Sequence, residues 1–257
     1  MIDARLLLAL DGDGVELPSE GIIAVFQPPL DADLPGLDKD RVQIIQAFKP
    51  DYDAWAARGY DVVRNVKDRY AACIVCLPRA KNEARALIAD ACEVCDGIVV
   101  IDGQKTDGVD SILREMRTRV TVRGPISKAH GKMFWISEPA AEFFADWKQG
   151  PSLTDGGFWT APGVFSADGV DLASALLVDA LPENLGSEVA DLGAGWGFLS
   201  AHALTRESIK KIYLIEAGHM ALECARRNVT DERAEFIWED ATIWEPPHRM
   251  ATVIMNP

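Results

Sequence analysis

The stretch Val189-Ala190-Asp191-Leu192-Gly193-Ala194-Gly195-Trp196-Gly197-Phe198-Leu199-Ser200 constrains this chain more than any other. An apolar run ends in an acid, three glycines follow at alternate positions, and a helical pattern then begins. Glycines so spaced turn the backbone tightly and offer bare N–H groups to a ligand at a helix N-terminus. A dinucleotide fingerprint needs its third glycine three residues after the second. Phe198 stands there, and Gly197 comes one residue early. The pyrophosphate-binding version of this turn is therefore a poor match, and the plain competitor is a glycine-rich strand–helix turn with no ligand.

The following segments repeat the strand–helix order. Lys210–Ala217 reads as a second strand ending in an acid, and His219–Thr230 as a helix whose Met220, Leu222, Cys224 and Ala225 share one buried face. Ala234–Asp240 reads as a third strand ending in acids, and Ala251–Met255 as a fourth, followed by Asn256-Pro257. An acid-ended strand leading into Gly193, Gly195 and Gly197 resembles motif I of the class I S-adenosylmethionine (SAM) methyltransferases. The resemblance implies a SAM cofactor on the Asp191–Gly197 turn. It also makes Glu216 the acceptor for the ribose hydroxyls and places Asp240 at the adenine edge. Taken singly, Glu216 or Asp240 reads as an ordinary solvated strand end. Their shared position at the carboxyl ends of successive strands, where α/β sheets bind ligands, favours the functional reading.

Asn256-Pro257 resembles the first half of the Asn-Pro-Pro-aromatic motif of amino-directed methyltransferases. In that motif the Asn side-chain carbonyl and the proline carbonyl accept hydrogen bonds from an NH2 group, which is catalysis by positioning. Asn-Pro alone is a common turn signal. Further upstream, Thr160–Asp171 with Ala175-Leu176-Leu177 is similar to the segment before motif I in the bacterial 16S ribosomal RNA guanine-N2 methyltransferase family. That family carries Gly-Ser where this chain has Ala173-Ser174. Cys76–Ala84 is similar to its Trp-Pro-Lys-type strand exit. The resemblance covers the chain strongly from about residue 160 and weakly before it. It implies two tandem Rossmann-like domains of α/β class: a degenerate one over 1–148, a linker over 149–159, and a SAM-binding catalytic one over 160–257. A complete domain of the resembled class has three strands beyond the fourth, so the expectation is a catalytic domain lacking its last strands, with weak activity or none in this chain.

Net charge is −14, but its distribution matters more. Residues 1–40 carry −7, residues 41–150 carry +2 and residues 151–257 carry −9. In the middle block Arg114, Arg117, Arg119, Arg123, Lys128 and Lys132 face only Glu115 as a local counter-charge. They are the candidate phosphate-facing patch for ribosomal RNA or the small subunit, against the equally ordinary reading of a solvated surface. No apolar run approaches the roughly 20 residues that span a bilayer, and Met1–Arg5 lacks the basic start of a leader. The expectation is a cytoplasmic monomer with no membrane partner.

Cys73, Cys76, Cys92 and Cys95 have the C-x2-C-x15-C-x2-C spacing of a zinc site. Tyr70–Pro78 reads as a buried strand, however, and side chains three apart on a strand point to opposite faces. Free buried thiols are the expected reading, with no metal.

The first half has its own strand–helix order. Strands are expected at Leu6–Leu10, Ile22–Phe26, Val42–Phe48, Ala72–Leu77, Ile98–Ile101, Val120–Val122 and Met133–Ile136, with helices at Asp53–Ala57, Lys81–Ala91 and Gly108–Met116. Asp11-Gly12-Asp13-Gly14 would then stand where a cofactor loop belongs, without a helix at the right distance. Gln149–Gly157 is the clearest linker. Three functions compete: an RNA amino-group methyltransferase, a methyltransferase of a protein glutamine or small-molecule amine, and a non-catalytic RNA-binding module. The tandem order and the segment 162–171 favour the first.

Overall fold

Strand Tyr70–Cys76 explains the layering of the first half, because its side chains alternate between two cores. Cys73, Val75 and the following Leu77 join one apolar cluster, and Ala72, Ile74 and Cys76 join the other. A strand buried on both faces reads as a continuous apolar run, as parallel strands do. The structure is a computed structural model that describes residues 2–11, 14–139 and 141–256. It divides into two compact units: Met1–Ala47 with Asp51–Gln149, and Phe48–Pro50 with Gly150–Pro257.

The first unit comprises α1 (Ile2–Leu10), β1 (Ile23–Phe26), β2 (Val42–Ile45), α2 (Lys49–Ala57) from Asp51 onward, β3 (Asp61–Val63), β4 (Tyr70–Cys76), α3 (Lys81–Val94), β5 (Cys95–Gln104), α4 (Val109–Arg117), β6 (Arg123–Lys128) and β7 (Gly131–Ile136). Its sheet has the order β3-β2-β1-β4-β5-β7-β6, parallel through β5, with β7 antiparallel to both neighbours. Helices α3 and α4 pack on one face, and α1 with Trp55 of α2 on the other. Each fully buried Ile or Leu in these layers contributes about 1.5–3 kcal/mol.

Several expectations are corrected here. Leu6–Leu10 is helix, not strand. Ile2, Leu6 and Ala9 recur at helical spacing and are buried, as is Arg5. Arg5 makes a two-pronged ion pair with Asp102 of β5, Nε to Oδ1 at 2.5 Å and Nη2 to Oδ2 at 2.7 Å, and donates to the Lys128 carbonyl at 2.9 Å. The first strand is therefore β1, and the loop after it is Gln27-Pro28-Pro29-Leu30, not Asp11–Gly14, of which Gly12 and Asp13 lie outside the described residues. Two prolines remove N–H donors from that loop. Val120 and Val122 precede β6 rather than forming a strand. The three-residue edge strand β3 carried too little pattern to be read.

Cys73, Cys92 and Cys95 lie in one cluster and Cys76 lies across the sheet in the other, all buried as free thiols. Among the described residues no helix is long and apolar enough to cross a membrane.

The second unit comprises β8 (Ser152–Leu153), β9 (Trp159–Thr160), α5 (Leu172–Ala180), β10 (Glu188–Leu192), α6 (Phe198–Ala203), β11 (Lys211–Glu216), α7 (His219–Asn228), β12 (Ala234–Trp238) and β13 (Thr252–Met255). Its main sheet is parallel, in the order β12-β11-β10-β13. Both units thus place their third, second, first and fourth core strands side by side, a repeat that exists in topology without residue-level similarity. Half of the expected linker is a hairpin: β8 pairs with β9 around a turn closed by Thr154 N–H to Phe158 O at 2.8 Å. Met220 faces solvent, while Leu222, Cys224 and Ala225 are buried.

Candidate active site

Sheet register assembles this site. Leu192 of β10 stands beside Ile215 of β11 and Met255 of β13. The next residues, Gly193, Glu216 and Asn256, therefore sit side by side at the carboxyl edge. Strand order reverses between β10 and β13, and ligands of open α/β sheets bind at such a switch point.

The loop from Gly193 to Gly197 is tied down by its own chain. Gly193 and Ala194 N–H groups both donate to Ile215 O, at 2.9 and 3.0 Å, and Gly197 N–H donates to Ala194 O at 2.9 Å. Gly195 N–H donates to Glu216 Oε2 at 2.8 Å, and Gly218 N–H to Glu216 Oε1 at 2.6 Å. These donors are spent internally, which corrects the expectation of bare N–H groups facing a ligand. What the glycines provide is clearance. Gly193 and Gly195 have φ of 69° and 55°, and a Cβ on either would meet nothing within 4 Å. That is a cradle open to a ligand. Gly197 differs: at φ 87° its Cβ would stand 3.0 Å from Val229 Cγ2 and 3.2 Å from Ala225 Cβ. Gly197 therefore stands where the start of α6 packs closely against α7 and the residue after it.

Asp191 is fully buried. Its Oδ2 accepts the Ser200 hydroxyl at 2.6 Å, and Oδ1 has no partner among the described residues. Burial, reinforced by the nearby Glu216 charge, pushes its carboxyl up to about 7 despite the Ser200 hydrogen bond. Asp240 lies two residues past β12. Its Oδ1 accepts the Thr242 N–H at 2.8 Å and hydroxyl at 2.7 Å, which hold the carboxyl below its ordinary range.

A small pocket brings Gly193, Gly195 and Asn256 together with Phe165, Ser166, Asp171, Ser174 and Trp196. It encloses about 40 Å³, room for one or two water-sized groups. Asp191, Gly197, Glu216 and Asp240 lie outside its lining, and Pro257 lies outside the described residues. Asn256 Nδ2 donates to Asp171 Oδ2 at 3.0 Å and to Ser174 Oγ at 2.8 Å. Asp171 also caps α5 by accepting the Ser174 N–H at 2.9 Å. Sequence reasoning missed both partners as site residues, although an Asp just ahead of an apolar helical run is a readable cap signal. It also missed Asn228, which bonds Trp159 N and O at 2.6 and 2.8 Å and Trp196 O at 2.7 Å, so fixing the loop against β9.

A larger cleft of about 890 Å³ lies within the first unit, lined by Arg117, Arg119, Arg123 and Phe143 among others. The expected basic patch is partly neutralised. Arg119 pairs with Asp146 at 2.5 Å and Lys132 with Asp110 at 2.6 Å. Glu115 serves Lys81 and Arg85 instead.

Comparison with known proteins bears on this geometry. Residues 155–257 match the family model described as Methyltransferase small domain. Two curated relatives are each called Ribosomal RNA large subunit methyltransferase G. The protein of Shewanella amazonensis is 35% identical over 100 residues, and that of Klebsiella pneumoniae is 30% identical over 112. The aligned segments cover 37% and 40% of this chain, and only 26% and 30% of those relatives. A 16S rRNA N2 guanine methyltransferase of T. thermophilus, solved with AdoMet and guanosine, matches with a TM-score of 0.72 at 18% identity. The match covers 100% of this chain and 74% of that one. The fold is accordingly the class I methyltransferase fold, α/β with parallel-rich sheets.

Proposed function

We propose that residues 160–257 carry the catalytic site of a SAM-dependent N-methyltransferase acting on an exocyclic amino group, guanine N2 of ribosomal RNA, with small-subunit RNA as the first reading. The observation that carries this reading is Asn256. Its Nδ2 is bound to two acceptors, so its Oδ1 is the atom left to accept from a substrate amino group, beside the open cradle of Gly193 and Gly195. The residues present fit the cofactor. The cradle admits a ligand against the backbone, the orphaned Asp191 Oδ1 offers an acceptor to a cationic amino group, and Glu216 keeps lone pairs free for ribose hydroxyls. SAM, when bound, supplies an electrophilic methyl group.

The chain's own part is positioning. Asn256 Oδ1 holds an N–H of the target amine, and the resemblance assigns a second acceptor to the Pro257 carbonyl. The pocket sets Asn256 beside Gly193 and Gly195, so the held amine would lie next to the cofactor cradle. An oriented amine needs no strong base, and alignment is where the rate gain arises. A guanine must leave its stack to reach this edge. We assign the RNA grip to 1–148, a methyltransferase-like domain whose cofactor loop is replaced by Gln27–Leu30. There Arg117 and Arg123 offer charge to phosphates, and the half-exposed Phe143 offers a stacking face.

Large-subunit RNA is the second reading, favoured by the names of the two curated relatives. Radiolabelled methyl transfer to ribosomal RNA and subunits of both sizes tests the proposal, with nucleoside analysis of the product. Label in guanine N2, strongly reduced but still measurable in Asn256→Ala, is expected, and the subunit labelled selects between the readings. Label elsewhere, or full activity in Asn256→Ala, overturns it. Replacing both Arg117 and Arg123 with Ala should weaken RNA binding and flatten its salt dependence by roughly 1.4 in log–log slope, at about 0.7 per single-strand phosphate contact.

A further inference from the structure

We propose that Asp171 and Ser174 are positioning residues that lock the Asn256 amide in the one orientation that presents Oδ1, not Nδ2, to the substrate. This rests on the function proposed above. An asparagine amide has two ends of almost equal size, and rotation by half a turn exchanges an acceptor for two donors. With Nδ2 facing the pocket, Asn256 would oppose the N–H groups of an incoming amine and the site would repel its substrate. The chain removes that alternative chemically. An ionised carboxylate can only accept, so Asp171 Oδ2 at 3.0 Å fixes Nδ2 on its own side. Ser174 Oγ accepts the second proton at 2.8 Å.

The lock is anchored as well as polar. Asp171 Oδ2 also accepts the Ser174 N–H, so the same oxygen caps α5 and grips an amide 85 residues away. Ser174 is buried, which limits competition from water. The segment ahead of the glycine loop thus sets the polarity of the reactive edge, and an amine is selected over a carbonyl at the reacting position.

Two measurements test this. The first is independent of activity: the side-chain amide resonances of Asn256, identified by their absence in Asn256→Ala, are followed by 15N NMR in the free protein. In Ser174→Ala, which keeps the backbone N–H and hence the cap, they should shift and exchange faster. Asp171→Ala should add to the effect, and Asp171→Asn, whose oxygen can still serve both donors, should largely restore it.

The second is steady-state kinetics. Ser174→Ala should lower kcat on the order of 10- to 100-fold with KM for RNA within twofold, as misplacement of a reacting group does. In an Asn256→Ala background Ser174→Ala should cost nothing further, because its effect passes through Asn256. Amide signals indifferent to both residues, or an equal loss in the Asn256→Ala background, would overturn the lock. Amide signals that respond as expected in a protein that methylates no amino group would uphold the lock and sink the proposed function instead.

Discussion

The Glu216 carboxylate accepts the Gly195 N–H at 2.8 Å, so the acid at the end of β11 holds the glycine loop that follows β10. Its other oxygen accepts the Gly218 N–H at 2.6 Å, at the start of α7. One side chain thereby fixes both turns at the carboxyl edge while retaining unused lone pairs. Glu216→Ala should weaken SAM binding by roughly 1.5–3 kcal/mol, the range for hydrogen bonds to a charged group. Glu216→Gln, which can still accept from one N–H, should fall between. Titration calorimetry decides, and an unchanged dissociation constant would reduce Glu216 to a solvated strand end.

The glycines should separate by phenotype. Gly195→Trp places a large side chain in the open cradle at positive φ and should abolish SAM binding. Gly197→Ala drives a methyl group toward Val229 and Ala225 at φ 87° and should chiefly lower the melting temperature. Calorimetry together with thermal melts of both variants checks the pair. Equal ligand binding by wild type and Gly195→Trp would remove the cradle from the site.

Asp191 gives the protein a pH signature. Its carboxyl titrates at about 7 in the folded state, against roughly 3.9 when unfolded. A raised acid pKa means that the folded state binds the proton more tightly. This stabilisation is fully present below about pH 4 and is lost as pH rises to about 7, on the order of 4 kcal/mol over that window. Asp191→Asn should flatten that part of the stability–pH curve, measured by denaturant unfolding. Because a cationic amino group favours the ionised acid, SAM affinity should instead rise with pH across the same window.

Arg5 and Asp102 form a buried pair whose separation should be costly. Asp102→Ala leaves the Arg5 guanidinium buried without its carboxylate and should destabilise the protein by about 3–5 kcal/mol. Replacing both residues with apolar side chains of similar volume should cost far less, and chemical denaturation of the single and double variants measures the difference.

Residues 189–200 alone determined the strand, the glycine turn and the helix after it, because an acid-ended apolar run and backbone clearance are local properties. The parallel strands of the second unit followed from the same periodic signals, whereas the role expected of Asn256 came from the resemblance. Other features were decided by distant contacts. Leu6–Leu10 is as apolar as a strand, and only packing of Ile2, Leu6 and Ala9 against the sheet makes it helix. Arg119 and Lys132 look uncompensated in sequence because Asp146 and Asp110 reach them only after folding. The glycine-loop N–H groups look available until Ile215 and Glu216 come alongside. Asp171 and Ser174 meet Asn256 across more than 80 residues of chain. Composition and period report which groups a segment carries. Which of them remain free for a ligand depends on partners that strand register brings within hydrogen-bonding distance, and that was fixed by the tertiary structure.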